Sequence, residues 1–425
     1  MGNFLIMLFL AVILYNGGKE MTVERKGYLQ KLLSLKDEKV IKVVTGLRRS
    51  GKSTLLEQYQ VKLREMGVGD DRIIYINFEN LDNDDLLDYT VLHSYLVSKL
   101  AENEMTYIFL DEIQRVKEFQ KCVDSLYIRD NTDLYITGSN AYLLSGELAT
   151  LLSGRYVEIS ILPLSFSEFT VLNRCDSPDR ALSEYIRYGG LPYVSVMERT
   201  DEKVQMYLDG IYNTVVVKDI LEREARRGTR KVNDIALLNT VARYLSSVIG
   251  SPVSIKAVTD YLTSNGRKVS FNTIDDYVSA LRESYLFYGC QRYDISGKEL
   301  LKNNGKIYMV DLGLRNYILP KRNYDLGFSI ENLVFLELLR RGWKVNTGKL
   351  YSTEVDFVAS RNNEIKYIQV TADMTNKTTF ERKMRPLRSI RDNYSKTVLT
   401  LDRFSEGDYG GIRVVNLTDW LLAEE

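Results

Sequence analysis

Gly46-Leu47-Arg48-Arg49-Ser50-Gly51-Lys52-Ser53-Thr54 sets two glycines, a lysine and two hydroxyls at the spacing G-x-x-x-x-G-K-[ST]. The chemistry such a set serves is phosphate binding. Glycines let backbone N–H groups turn inward around phosphate oxygens, and a helix beginning at the last glycine adds its positive end. Gly46, Arg49, Ser50, Gly51, Lys52, Ser53 and Thr54 are therefore the expected nucleotide contacts, with Lys52 reaching the β- and γ-phosphates and Ser53 placing its hydroxyl on Mg²⁺. A second set follows in Leu110-Asp111-Glu112. Asp111 is expected in the Mg²⁺ shell, and Glu112 is expected to polarise an attacking water. Downstream, Thr137-Gly138-Ser139-Asn140 offers Asn140 as a side chain that could bond the γ-phosphate or that water. The same residues are also good turn chemistry.

These groups need strands that end together at one sheet edge. Val40-Ile41-Lys42-Val43-Val44 before the loop and Leu55-Leu56-Glu57-Gln58-Tyr59 after it read as strand, loop, helix. Arg72 to Phe78, Thr106 to Leu110, Leu134 to Thr137 and Val157 to Ile161 read as further buried strands, and Asp84 to Glu102 has helical leucine spacing. An apolar strand that delivers carboxylates at its C-terminal end matches the place where open parallel sheets bind ligands.

The series Gly46 to Ser53, Leu110-Asp111-Glu112, Thr137 to Asn140, Ser153-Gly154-Arg155-Tyr156 and Pro163-Leu164-Ser165-Phe166 resembles the prokaryotic AAA-type ATPases that carry a C-terminal domain of unknown function, DUF4143. Lys306 to Leu314 resembles the same proteins. The resemblance implies ATP and Mg²⁺ as cofactors and a homo-oligomer in which Arg155, just before the last strand, acts on the γ-phosphate of a neighbouring subunit. It further implies a sensing asparagine, for which Asn77 is the position here, and a glycine-proline lid element beside the adenine, matched by Gly190 and Pro192.

The implied fold is α/β and multidomain. Residues 1–20 are an apolar extension, 21–175 a P-loop ATPase core, 176–231 a helical lid and linker, 232–322 a winged-helix region, and 323–425 a domain like the PD-(D/E)xK nucleases. By its own chemistry Gly189-Gly190-Leu191-Pro192 is a hinge. The basic run Arg223 to Lys231 reads as a linker or a phosphate contact. In the winged-helix region the third helix carries Asp275, Asp276, Arg282 and Glu283, and this excess of acid favours a protein partner over DNA.

The nuclease-like order rests on Glu331 in a helix and on Glu354 and Asp356 on one face of a strand. With Gln369 they form an expected Mg²⁺ site. The next strand reads Gln369-Val370-Thr371 where such a nuclease would present an acid and a lysine, and Lys366 falls on the opposite face. Two readings stay open: a working nuclease, or a residual fold that binds DNA or a partner, and the basic helix around Lys377, Arg382, Lys383, Arg385, Arg388 and Arg391 reads as a phosphate-contacting patch or a solvated helix face.

Composition narrows the rest. At 425 residues and 44% hydrophobic the chain can fill two or three cores, and 57 basic residues against 57 acidic ones leave no global field for nucleic acid. The lone His93 lies in a leucine-rich helical pattern, which excludes a multi-histidine metal site. The separated Cys122, Cys175 and Cys290 read as a reduced, cytoplasmic protein. Phe4 to Tyr15 is apolar but short for a membrane span and follows no basic residue. The expectation is a working protein starting near Met21, with a membrane-associated N-terminus as the alternative.

Overall fold

This computed structural model describes residues 22–138, 154–227, 231–319 and 325–423, preceded by two short paired strands, Tyr15–Asn16 and Lys19–Glu20. Asn140 and residues 4–14 of the apolar stretch lie outside the described residues. Of the basic run from Arg223 to Lys231, residues 228–230 and the side chains of Arg223, Arg226 and Arg227 also lie outside them. Among the described residues no helix is long and apolar enough to cross a membrane. The chain divides into two compact units, Met1–Ile161 and Leu162–Glu425.

The first unit is built on a five-stranded parallel sheet in the order Ile73–Asn77, Thr106–Asp111, Thr132–Gly138, Ile41–Thr45, Tyr156–Ser160. Strand alternation sends Ile108 and Leu110 into one core and Tyr107 and Phe109 into the other, so Thr106–Asp111 is buried on both faces. Helices Tyr89–Ser98 and Phe119–Tyr127 supply the first core, and Lys26–Ser34 and Lys52–Glu65 the second. The expected helix 84–102 is shorter because Asp88 caps its start, accepting from the Thr90 and Val91 N–H groups, after a 3-10 turn at Leu81–Leu86. Lys42 lies fully buried in its apolar strand, where Asp133 of the adjacent strand meets it at 2.5 Å. Asp133 also accepts from the Tyr135 hydroxyl at 2.8 Å, which completes the satisfaction a buried charge requires. All five strands run the same way, so Thr45, Asn77, Asp111, Gly138 and Ser160 end at one edge.

The second unit begins with helices and ends on an eight-stranded mixed sheet. Its order is Gly407–Asp408, Ile412–Asn416, Ser395–Thr400, Glu364–Thr371, Thr353–Arg361, Lys344–Leu350, Phe287–Asp294, Glu299–Met309. Two boundaries differ from those the sequence implied. Helix Phe166–Asn173, opened by a capping box of Ser165 and Glu168, belongs to the second unit and not to a core reaching residue 175. The expected border at 322/323 is bridged: strand Phe287–Asp294 pairs in parallel with Lys344–Leu350, Thr347 lying against Arg292. Helices Ile235–Ser247, Ile255–Ser264 and Phe271–Glu283 precede the antiparallel hairpin of Phe287–Asp294 and Glu299–Met309, and Leu326–Arg340 and Lys377–Ser389 pack on the sheet. Strand Ile412–Asn416 and helix Leu417–Leu422 were not anticipated.

Candidate functional site

The loop leaves Thr45 and enters helix Lys52–Glu65 through three backbone positions of positive φ: Gly46 at 141°, Arg49 at 62° and Gly51 at 98°. Gly46 has a second constraint, since a Cβ there would stand 2.3 Å from the Ile161 carbonyl oxygen. Lys52 Nζ is buried 3.3 Å from the Gly46 carbonyl, 3.4 Å from that of Leu47 and 3.5 Å from Glu112 Oε1. Ser50 is fully buried and its Oγ has no hydrogen-bond partner among the described residues. Thr54 follows in the first helical turn.

One residue holding this loop gave no signal in the motif. Arg25 is 3% exposed, and its Nη1 donates to the Ser50 carbonyl at 3.1 Å. Its backbone N–H donates to Gln58 Oε1, while Gln58 Nε2 donates to the Val23 carbonyl at 2.8 Å. The chain before the first helix is thereby tied to both the loop and the helix behind it. An arginine far upstream becomes legible only once the chain has folded back.

Asp111 is wholly buried at the end of its strand. Tyr75 donates to its Oδ2 at 2.9 Å, Asn77 Nδ2 approaches at 3.3 Å, Thr137 donates to Oδ1, and the Ser53 hydroxyl bonds the same carboxyl. Burial pushes this carboxyl upward, while the Ser53 and Thr137 hydrogen bonds pull it back. Thr137 Oγ1 also accepts the Glu112 N–H at 2.8 Å. Glu112 then turns through a left-handed conformation, φ 56°, strained for a residue with a side chain by ~1–3 kcal/mol. Its carboxylate meets Gln114 Nε2 and the Lys52 ammonium. The structure thus brings Lys52, Ser53, Asp111, Glu112 and Asn77 together, and the Ser53 hydroxyl beside the Asp111 carboxylate is an oxygen pair that fits Mg²⁺.

Arg155 stands elsewhere. Its carbonyl accepts the Ile41 N–H at 2.7 Å, and Ile41 opposes Tyr156 at the start of the parallel pair whose other end is Thr45 and Ser160. A strand of this length puts Arg155 about 16 Å from the loop edge. The side chain is 42% exposed, paired with Asp124 and over the Tyr127 ring at 5.5 Å.

Gly190 and Pro192 belong to the second unit, where Gly190 is tightly engaged. Its N–H donates to Asp311 Oδ2 at 2.7 Å, and its carbonyl accepts the Leu164 N–H at 2.8 Å. Pro192 is the first residue of helix Pro192–Val196. Asn316 Nδ2 caps the neighbouring helix end through the Ile186 and Arg187 carbonyls, at 2.9 and 2.8 Å. The Gly-Gly-x-Pro element expected to be a free hinge is therefore docked onto helix Leu312–Ile318. Burial pushes the Asp311 carboxyl up to about 6, against the hydrogen bonds from Gly190 and Leu314. An acid raised in the folded state contributes stability that is full below its unfolded value of 3.8 and is lost as pH rises through about 6. In urea melts, the stability of wild type relative to Asp311→Asn should fall by about 2 kcal/mol between pH 4 and 7. A pH-independent difference would contradict this.

Glu331, Glu354, Asp356 and Gln369 also come together, but with lysines. Phe357 opposes Ile368, which makes Asp356 and Gln369 cross-strand neighbours. From helix Lys377–Ser389, Lys383 Nζ reaches Asp356 Oδ2 at 2.6 Å and Gln369 Oε1 at 3.2 Å. Lys306 Nζ lies 3.0 Å from Glu331 Oε1 and 2.7 Å from Glu354 Oε1, and the Tyr308 hydroxyl donates to Glu331 at 2.6 Å. Burial works against the Lys306 ammonium, yet the surrounding carboxylates outweigh it and raise its pKa. Burial and then Asp356 raise Glu331, opposed by Lys306. Among the described residues no group of three or more His, Cys, Asp or Glu side chains is arranged to hold a metal. The expected Mg²⁺ ligand set is thus occupied by two ammonium groups and does not fit a divalent ion. Lys366 does lie on the other face, 4.5 Å above the Trp343 ring.

Comparison with known proteins agrees with the first unit. Residues 38–170 match the family model of an AAA domain, AAA_14. Residues 179–325 match a domain of unknown function designated DUF8612, where the resemblance had implied DUF4143. An uncharacterized protein of Haemophilus influenzae is 41% identical over 405 residues, covering 94% of this chain and 98% of that protein. The uncharacterized protein MJ1544 of Methanocaldococcus jannaschii is 32% identical over 373 residues, covering 83% of this chain and 79% of its own length. Among solved structures, the Walker-type ATPase PABY2304 of Pyrococcus abyssi is similar with a TM-score of 0.44 and 15% identity, over 70% of this chain and 96% of that one. The chain belongs to the family of the Haemophilus influenzae protein and carries an AAA-type P-loop ATPase domain.

Proposed function

We propose that the protein is an ATP-driven switch that positions its C-terminal modules. The loop Gly46–Thr54 holds the nucleotide, with Lys52 on the β- and γ-phosphates and Ser53 and Asp111 on Mg²⁺. Glu112 orients the attacking water, Asn140 senses the γ-phosphate, and Arg155 serves the site of a neighbouring copy. The observation that carries this reading is the contrast between two carboxylate sets. Asp111 and Glu112 sit against a phosphate loop with hydroxyl and ammonium partners in place, whereas Glu331, Glu354 and Asp356 are neutralised by Lys306 and Lys383. Hydrolysis is the chemistry, and the second unit is what it moves.

In this reading residues 176–231 are the lid, with Pro192 beside the adenine, and the helix and hairpin succession from Ile235 to Met309 is the winged helix. The succession from Leu326 to Thr400 is a nuclease-like module that binds without cutting. Exposed Arg382 and Arg385 favour DNA as its partner, while the acid-rich helix Phe271–Glu283 favours an unidentified protein. The test is hydrogen exchange on Glu112→Gln, which binds ATP and does not hydrolyse it. Exchange in 178–196 and 312–318 should differ between ATP and ADP, and identical exchange in the two states would sink the switch.

A further inference from the structure

Four helices of the second unit, Asp201–Tyr212, Ile235–Ser247, Ile255–Ser264 and Leu312–Ile318, line a cavity of about 620 Å³. Its walls carry two tyrosine pairs. Tyr212 and Tyr317 have ring centroids 5.9 Å apart, and Tyr244 and Tyr261 have theirs 4.6 Å apart. Arg243 joins them from the same helix as Tyr244. Its exposed guanidinium has no hydrogen-bond or ion-pair partner among the described residues. Its charge is felt at both hydroxyls: burial raises Tyr212, burial and then Asp209 raise Tyr317, and Arg243 acts against both rises. Asn239 Oδ1 accepts the Tyr212 hydroxyl at 3.0 Å, which orients its amide N–H groups as donors.

No carboxylate lines the cavity among the described residues; Asp209, which accepts the Tyr317 hydroxyl, is outside the lining. Aromatic faces, a spare guanidinium and an amide are the parts that recognise a planar ring carrying an anionic group. Rings stack on tyrosine regardless of base identity, and an arginine fork takes a phosphate in a bidentate way. The volume is in the range of sites for ligands of nucleotide size.

We propose that this cavity binds a nucleotide unit, its base against Tyr244 and Tyr261 and its phosphate on Arg243, as a second site separate from the phosphate loop. The unit can come as a free nucleoside monophosphate or as one residue of a single strand. Tyr261 is 44% exposed and Arg243 is exposed, so replacing either leaves the core intact.

Full-length protein carrying Lys52→Ala, which silences the phosphate loop, is titrated with AMP by calorimetry and with a fluorescein-labelled ten-residue oligothymidylate by anisotropy. Adding Tyr261→Ala or Arg243→Gln should weaken binding by about tenfold or more, while Tyr261→Phe, which keeps the ring, should stay within about twofold. Binding of one probe and not the other identifies the source of the nucleotide unit. Absence of binding for both probes at millimolar AMP and micromolar oligonucleotide, or equal affinity in the alanine and glutamine variants, overturns the proposal.

Discussion

Lys52→Ala should lower ATP turnover by about 10²-fold or more, measured as phosphate release, with the fold retained. The loop aims this ammonium at its own Gly46 and Leu47 carbonyls and at Glu112. In a buried site a fixed positive group stabilises charge on the transferring phosphoryl far better than water does, and alanine leaves no substitute. The same assay reads Arg155. Because its strand holds it at the edge away from the loop, turnover per subunit should rise with protein concentration, and Arg155→Ala should flatten that rise. Turnover of Lys52→Ala near wild type would remove the loop from the chemistry. A concentration-independent rate, unchanged in Arg155→Ala, would remove the second copy.

Lys306→Met should destabilise the second unit by about 3–5 kcal/mol in urea, the cost of leaving buried carboxylates without their cation. Lys306 is 4% exposed and Glu331 10% by side chain, so water cannot replace the lost ammonium. The pH dependence has a definite sign. Glu331 is already raised above 4.5 by burial, and losing Lys306 raises it further. Its protonated form then carries no penalty, and the deficit of the variant should shrink as pH falls toward 4.5. A deficit equal at pH 5 and pH 8 would mean that Lys306 acts through packing. A tightened response of Lys306→Met to Mn²⁺, absent in wild type, would show that the ammonium stands where a cation could.

The phosphate loop was legible because each of its residues is demanded by one local backbone path: Gly46 has no room for a Cβ, and Gly51 turns left-handed into the helix. The buried strands were legible for a similar reason, since a parallel sheet covered on both faces needs unbroken apolar runs such as Tyr107 to Leu110. Contacts between residues remote in sequence were not legible. Arg25 on Ser50 and Lys383 on Asp356 depend on where a separate element lands, and no spacing rule encodes that. Strand parity excluded Lys366 from the C-terminal cluster but could not supply the lysine that a helix brings instead. The docking of Gly190 on Asp311 was likewise hidden, because glycine and proline announce a turn and say nothing about what the turn rests on.

The parallel pairing of Phe287–Asp294 with Lys344–Leu350 bears on how this family can diversify. Cutting the gene at codon 322 to exchange the terminal part for a different one would strip strand Phe287–Asp294 of its neighbour on that side and present bare peptide groups to any passing chain. Such chimeras should be lost to aggregation before selection could act on their activity. Each sheet lies wholly inside one unit, so a crossover at codon 161 severs no ladder, and that is where shuffled descendants of this chain would survive.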